Sequence, residues 1–410
     1  MVGEAGFGFA AASTWWLLAE SAENMVVVGG DGRERVGWFE GGGPSNLRCR
    51  RRKSNPSPPA ILPNELITDI LSRLGVKYLK QMKCVSKSRN TLISDPIFIK
   101  MHLNRSSLNP QFSLIAANNN DHSFVRFPVN QLWENRRINI PHDPYYQLND
   151  KNCNEIVGSC NGLVCLVGYS LNEITRYRFE YCKFTFGYDN STQTYKVVSL
   201  RSVTDCTISE TNVKVFSLGD NVWRTIHGFP AASLQLDFGY EYDGVHLSCT
   251  INWLSVQDVF GRDDAVEQHV IISLDLSTDT FTQMMPPENY DNRGCISPNI
   301  CVLMDSLCFS YDKGTEFFIW QMTQFGDEKS WSQFLKLRYC NVGIYYELGH
   351  PRVTPLHLSE DGDTLLLAND QQDNAILYDR RNNRAKKTRI NKKICWFSIR
   401  DYVESLVPIC

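Results

Sequence analysis

The sequence predicts an α+β chain: a small all-helical module at residues 59–104, then an all-β, propeller-like domain of six or seven blades at residues 105–410. Three observations predict it. The first is a dense helical stripe: Leu62, Leu66, Ile67, Ile70, Leu71 and Leu74 recur at three-to-four-residue spacing, which places them on one helix face. The second is a change of period. After Leu103 the helical pattern stops, and short apolar runs alternate with Gly, Asn, Asp and Ser clusters, as in all-β chains. The third is internal similarity, which marks a repeat architecture.

The helical module reads in order. Pro63 suits a first helical position, where its missing N–H costs nothing, and Glu65 places an anion in the first turn. Gly75 is read as the helix stop. Tyr78, Leu79, Met82 and Val85 give a second helix one apolar side, and Leu92 with Ile93 marks a third. Asp95 and Pro96 form an N-cap and N1 pair opening the last helix through Phe98, Ile99 and Met101. Helices this short carry more apolar surface than they can bury among themselves, so the module calls for a docking partner or the rest of the chain.

The β repeats have two strand types. Phe184–Val198, Lys214–Ile226, Val270–Met284, Leu307–Met322 and Ala375–Ile390 each read as a strand, an Asp or Gly turn, and a second strand opening on an aromatic residue or Thr. Asp189, Asp275, Asp312 and Asp379 share the turn position, where a carboxylate bonds the backbone two residues on. Gly162–Val167, Gly244–Leu254, Ser306–Ser310 and Thr364–Ala368 supply the alternating type. Two strand types repeating at roughly 40 to 60 residues are the mark of propeller blades; a pair of β-sandwiches is the runner-up.

Residues 1–58 read as a disordered leader, with Gly41–Gly43 followed by a basic run, Arg48–Lys53, and three prolines. The basic run is either a nuclear localisation signal or a solvated charge run. Phe7–Ala19 is apolar but too short for a bilayer, and it lacks the basic start of a signal peptide. Of 410 residues, 21% are charged and the net charge is −3, which gives no argument for nucleic acid or membrane as the main partner. The 14 Cys are scattered without C-x-x-C spacing, the pattern of reduced thiols in the cytosol or nucleus. There is no G-x-S-x-G, H-E-x-x-H, P-loop or dinucleotide fingerprint. His246 is expected to be a satisfied strand histidine, and Trp223, Trp253, Trp320 and Trp331 inter-blade core residues. Arg380–Lys393 carries eight cations and no acid: a solvated hairpin and edge strand, or a basic patch for an acidic or phosphorylated substrate.

The string LPNELITDILSRL, followed by KCVSKS and NTLISDPIFIKMHL, resembles an F-box, in the wording of plant F-box proteins. GSCNGLVCL, FGYDNSTQTYKVV and VIISLDLSTDTFTQMMPPE are similar to the F-box-associated, kelch-like domain of the same proteins. The resemblance implies a substrate-recognition subunit of an SCF (Skp1–cullin–F-box) ubiquitin ligase, itself without catalytic groups or cofactor. Its F-box would bind a Skp1-like adaptor, and through it a cullin, by Leu62, Pro63, Leu66, Ile70, Leu71, Leu74, Val76, Leu79 and Val85. Its β domain would hold a protein target, with the chain a monomer in the complex, cytoplasmic or nuclear. Three positions depart from the family pattern: Gly75 replaces a Pro, Lys80 an apolar residue and Arg89 a Trp. Arg89 would forfeit aromatic burial worth about 2–4 kcal/mol. That motivates an alternative, a protein-binding adaptor outside any ligase with a weakened F-box.

Overall fold

The computed structural model describes residues 14–19, 22–29, 63–107, 113–117, 124–134, 137–138, 153–168, 179–205, 208–220, 222–230, 234–235, 244–258, 267–291, 293–344, 352–369, 374–390, 394, 396, 399–403 and 405–407. The helical module comes first: α1 (Asn64–Ser72), α2 (Val76–Lys83), α3 (Lys87–Ile93) and α4 (Pro96–Ser107). Leu71, Val76, Leu79, Ile93 and Phe98 converge as its core. The start and stop signals behave as their chemistry dictates, with two shifts. Asp95 caps α4 through its carboxylate, which accepts from the Ile97 N–H at 2.7 Å. Pro63 sits one residue earlier than expected, as the N-cap, and its carbonyl accepts from the Ile67 amide. Gly75 does not stop α1: that helix ends at Arg73, and Gly75 opens α2 with φ −62.

The remaining chain forms six antiparallel sheets. In chain order of their inner strands, blade 1 pairs Cys153–Cys160 with Leu163–Gly168. Blade 2 runs through Phe179–Asp189, Thr194–Asp205, Ile208–Ser217 and Val222–Ile226. Blade 3 holds Val245–Leu247, Thr250–Asp258, Glu267–Asp275 and Thr280–Met284, with the short Leu234–Gln235 added. Blade 4 is Cys295–Leu303, Ser306–Lys313, Glu316–Met322 and Trp331–Arg338. Blade 5 is Val353–Leu358, Thr364–Asn369, Ile376–Asp379 and Arg384–Lys387. Blade 6 joins the two ends of the domain, since Arg400–Tyr402 pairs with Ser113–Ala117, which pairs with Phe124–Pro128. Six sheets settle the count among the described residues, and that last pairing closes the ring, which removes free inner edges.

The core lies between blades. Separate apolar clusters fill the clefts 1–2, 2–3, 3–4, 4–5 and 5–6; Trp253 and Trp320 are buried in two of them, and Trp223 and Trp331 pack at their margins. A fifth helix, α5 (Val129–Trp133), breaks the all-β pattern and seals the cleft between blades 5 and 6. Three of the four turn aspartates act as expected. Asp189, Asp275 and Asp379 accept amide N–H bonds from Ser191, Ser277 and Asn382 at 2.7 to 3.0 Å. Asp312 does not: it lies within its strand, 3% exposed, and Gly314 with φ +61 makes the turn. Its neighbour Gly can take the left-handed conformation without a carboxylate's help.

The leader expectation is also corrected. Thr14–Ala19 and Ala22–Gly29 form a hairpin, and Ala22–Gly29 pairs with Leu163–Gly168 from Asn24↔Gly168 to Gly29↔Leu163. The hairpin supplies the two outer strands of blade 1. Trp15, Trp16 and Val26–Val28 have strong strand preference, and the edge of Leu163–Gly168 offers the partner that such residues need. The remainder of residues 1–62, including the Arg48–Lys53 run, lies outside the described residues.

Helices and propeller meet through the C-terminal segment. Leu406, 8% exposed, packs into the helical core beside Leu71 and Phe98. Val407 packs against the cluster between blades 1 and 2. Ser405 and the Val403 carbonyl press against Gly162, whose φ of +81 and lack of a Cβ allow the approach.

Candidate docking face and central cavity

The predicted adaptor-facing residues divide into three sets. Leu71, Val76 and Leu79 are 0–5% exposed and form the interior of the helical module, so they shape the face from behind. Leu74 packs partly buried against the same core. Pro63, Leu66, Ile70 and Val85 are on the surface, with Leu66 and Ile70 half exposed and one helical turn apart on α1. Leu62 lies outside the described residues. Tyr78 and Ile97 are also exposed and were not among the predicted adaptor-facing residues, because helical spacing alone does not tell an inward apolar residue from an outward one. Five of the eight large exposed apolar side chains among the described residues lie in this small module.

Polar contacts hold the face in shape. The Asp69 carboxylate accepts from Arg105 of α4 at 2.9 Å and from Arg73 at 3.0 Å, bracing α1 against α4. The bond from Arg105 leads in holding the Asp69 carboxyl below its ordinary range, with Arg73 adding to it. Buried His102 places Nε2 2.9 Å from the Leu74 carbonyl oxygen, which ties α4 to the α1–α2 turn. Lys80 is exposed, and Arg89 is half-buried on α3.

A second concavity lies on the propeller axis. The inner strands surround a cavity of about 230 Å³ whose wall takes residues from every blade, including Gly158, Thr185, His246, Asn299, Pro355 and Arg400. The register slips on three of these strands, between Ile156 and Gly158, Ile296 and Asn299, and Pro355 and His357. Such bulges bend a strand and re-aim its side chains, and here they border the cavity.

Beside the wall, a Cys and a His that sequence reading did not pair come together. The Cys160 Sγ lies 3.9 Å from His246 Nδ1. Burial pushes the Cys160 thiol up to about 12, and burial lowers His246 below its ordinary value. The neutral thiol and neutral imidazole are therefore favoured, the opposite of the ion pair that nucleophilic catalysis needs. His246 Nε2 is 3.2 Å from the backbone N and O of Tyr188, so it serves as a polar link between blades 2 and 3. Among the described residues no three His, Cys, Asp or Glu side chains converge into a metal site, and no helix is long and apolar enough to cross a membrane.

Two family models match the chain: an F-box domain over residues 60–101, and an F-box associated beta propeller domain over residues 156–409. This chain belongs to the F-box-associated β-propeller family. An F-box/kelch-repeat protein of Arabidopsis thaliana is 28% identical over 306 residues, covering 68% of this chain and 80% of the relative. An F-box protein of the same plant is 26% identical over 403 residues, covering 86% of each. An F-box/LRR-repeat/kelch-repeat protein is 25% identical over 317 residues, covering 69% of this chain and 77% of that one. The F-box model spans α1 to α3 and reaches into α4, and the propeller model begins inside the first strand of blade 1. Both lie outside the N-terminal hairpin that completes that blade. At family level the F-box protein is an SCF-type substrate adaptor, and the structure supplies the two parts that role needs.

Proposed function

We propose that this F-box protein is the substrate-recognition subunit of an SCF ubiquitin ligase. Its helices dock a Skp1-type adaptor, which joins it to a cullin, and its propeller holds a target protein for ubiquitination in the cytoplasm or nucleus. The observation that carries the proposal is the exposed apolar set Leu66, Ile70, Tyr78, Val85 and Ile97 on an otherwise well-packed helical module. Burying one such side chain against a partner contributes about 1.5–3 kcal/mol before ordering costs. The chain itself needs no covalent chemistry in this role. It raises the local concentration of the target beside the conjugating enzyme.

Gly75 is a mild departure from the family pattern, because its φ of −62 is the angle a Pro would impose. Arg89 remains the residue that favours the alternative of an adaptor outside any ligase. Affinity capture from plant cells separates the two, comparing wild type with L66D/I70D, which leaves the helical core intact. The ligase reading expects adaptor and cullin with wild type, loss of both with the variant, and a target that accumulates on the variant. Equal partner sets on both proteins would refute it.

A further inference from the structure

We propose that the outer edge of blade 5 is a docking strip for an acidic, extended segment of a partner protein. The proposal rests on the reading above that the propeller receives a target, and it names that target's chemistry. Arg384–Lys387 is the outermost strand of its sheet, and among the described residues no backbone hydrogen bond crosses its outer side. Arg384, Lys386, Lys387 and Arg389 are exposed, and among the described residues none makes a close ion pair with a carboxylate. The basic run thus divides in two. Arg380 is used inside the fold, donating to the Gly362 and Phe334 carbonyls with its guanidinium 3.8 Å from the Phe334 ring, and Arg381 pairs with Asp363. The cations further along make no such close contact.

A distant segment adds a fifth charge. Ile138 bridges Ile390, and its amide donates to the Arg389 carbonyl at 2.8 Å. Exposed Arg137 is thereby carried to the same edge. The register sets Lys386 opposite Leu377 and Arg384 opposite Asp379, so Arg384 and Lys386 share the sheet face of Leu377, whose cluster contains Ile138. The nearby Asp379 carboxylate accepts from Asn382 at the hairpin turn, and Lys386 acts on it by longer-range attraction without a close ion pair. The strip is therefore locally cationic on a chain whose net charge is −3.

An extended acidic peptide fits this edge twice over. Its carboxylates meet the cations, and its backbone can continue the sheet as an added strand. A nucleic acid matches only the charge. Tyr378 on the adjacent strand and Trp396 in the blade 5–6 cluster are both buried and offer no surface for stacking bases.

The test is fluorescence anisotropy on the purified full chain with a labelled decapeptide alternating Glu and Val. A Gln–Val decapeptide and a labelled thymidine oligonucleotide are run beside it. The proposal expects the Glu–Val peptide to bind, the Gln–Val peptide to bind at least about tenfold more weakly, and affinity to fall with added salt. R384E/K386E/K387E/R389E should lose at least about tenfold in affinity at an unchanged melting temperature, and R137E should lose a smaller factor. If the quadruple variant does not fold, K386Q/K387Q carries the same comparison. Absence of Glu–Val binding, equal binding by the charge variants, or tighter binding of the oligonucleotide would each overturn the proposal. No adaptor is present in this assay, so its failure is distinct from failure of the ligase reading.

Discussion

Lys196 is 5% exposed and its ammonium lies 2.9 Å from the fully buried Asp189 carboxylate, while also donating to the Leu276 carbonyl of blade 3. One side chain thus ties the first turn of blade 2 to the next blade. Burial alone would raise the Asp189 carboxyl, but bonds from Ser191, Lys196 and Thr192 outweigh it and hold the group far below its ordinary value. Removing one partner of such a pair leaves an uncompensated charge in the interior. Lys196→Met is expected to cost about 3 kcal/mol in chemical denaturation. The sign of the pH effect follows from the depression. Asp189 contributes its full stability above the unfolded carboxylate value near about pH 4, and loses it as pH falls through the lower folded value. Lys196→Met should flatten that acid limb, and a parallel acid curve for both proteins would count against the pair. The Asp turns were legible in the sequence because the carboxylate bonds atoms two or three residues away. Lys196 was not, since its partners become neighbours only when two blades pack.

Among the elements, the C-terminal segment links the most parts of the molecule. Residues 400–402 form the inner strand of blade 6, Ser405 fits over Gly162, and Leu406 enters the F-box core. Leu406→Ala should therefore destabilise the F-box helices by about 2–4 kcal/mol, although the substitution lies outside them. Hydrogen exchange reads this directly. Amides of α1 to α4 should exchange faster in the variant while blades 2 to 4 stay protected, and unchanged helix protection would mean that the contact contributes nothing. A second element prediction concerns the α1–α2 turn. Gly75 has φ −62, and among the described residues its N–H donates no backbone hydrogen bond. Gly75→Pro is expected to raise stability by about 0.4–1 kcal/mol, by restricting the unfolded chain, and a lower melting temperature would refute it. The four helices were legible because helix signals are local. The hairpin Thr14–Gly29 was not, because its strand partner lies beyond the whole F-box in sequence. No local period records a pairing of that range.

At the scale of the whole molecule, the architecture is an F-box set within a propeller, with strands of the β domain on both sides of it in the chain. Its apolar face points outward while its core is anchored through Leu406, so adaptor and target would be held in a fixed relation. Repeat similarity revealed blades, but the count waited on the ring's closure, in which Arg400–Tyr402 pairs with Ser113–Ala117. The candidate docking face was half legible. Helical spacing located the apolar residues, and only packing separated Leu71, Val76 and Leu79 inside from Leu66, Ile70 and Val85 outside. The most direct test is isothermal titration of the purified full-length chain with a Skp1-type adaptor. The account predicts saturable binding tighter than about 1 µM, equivalent to about −8 kcal/mol, that is abolished in L66D/I70D. An undetectable heat of binding with wild type at about 50 µM, far above that dissociation constant, would contradict it.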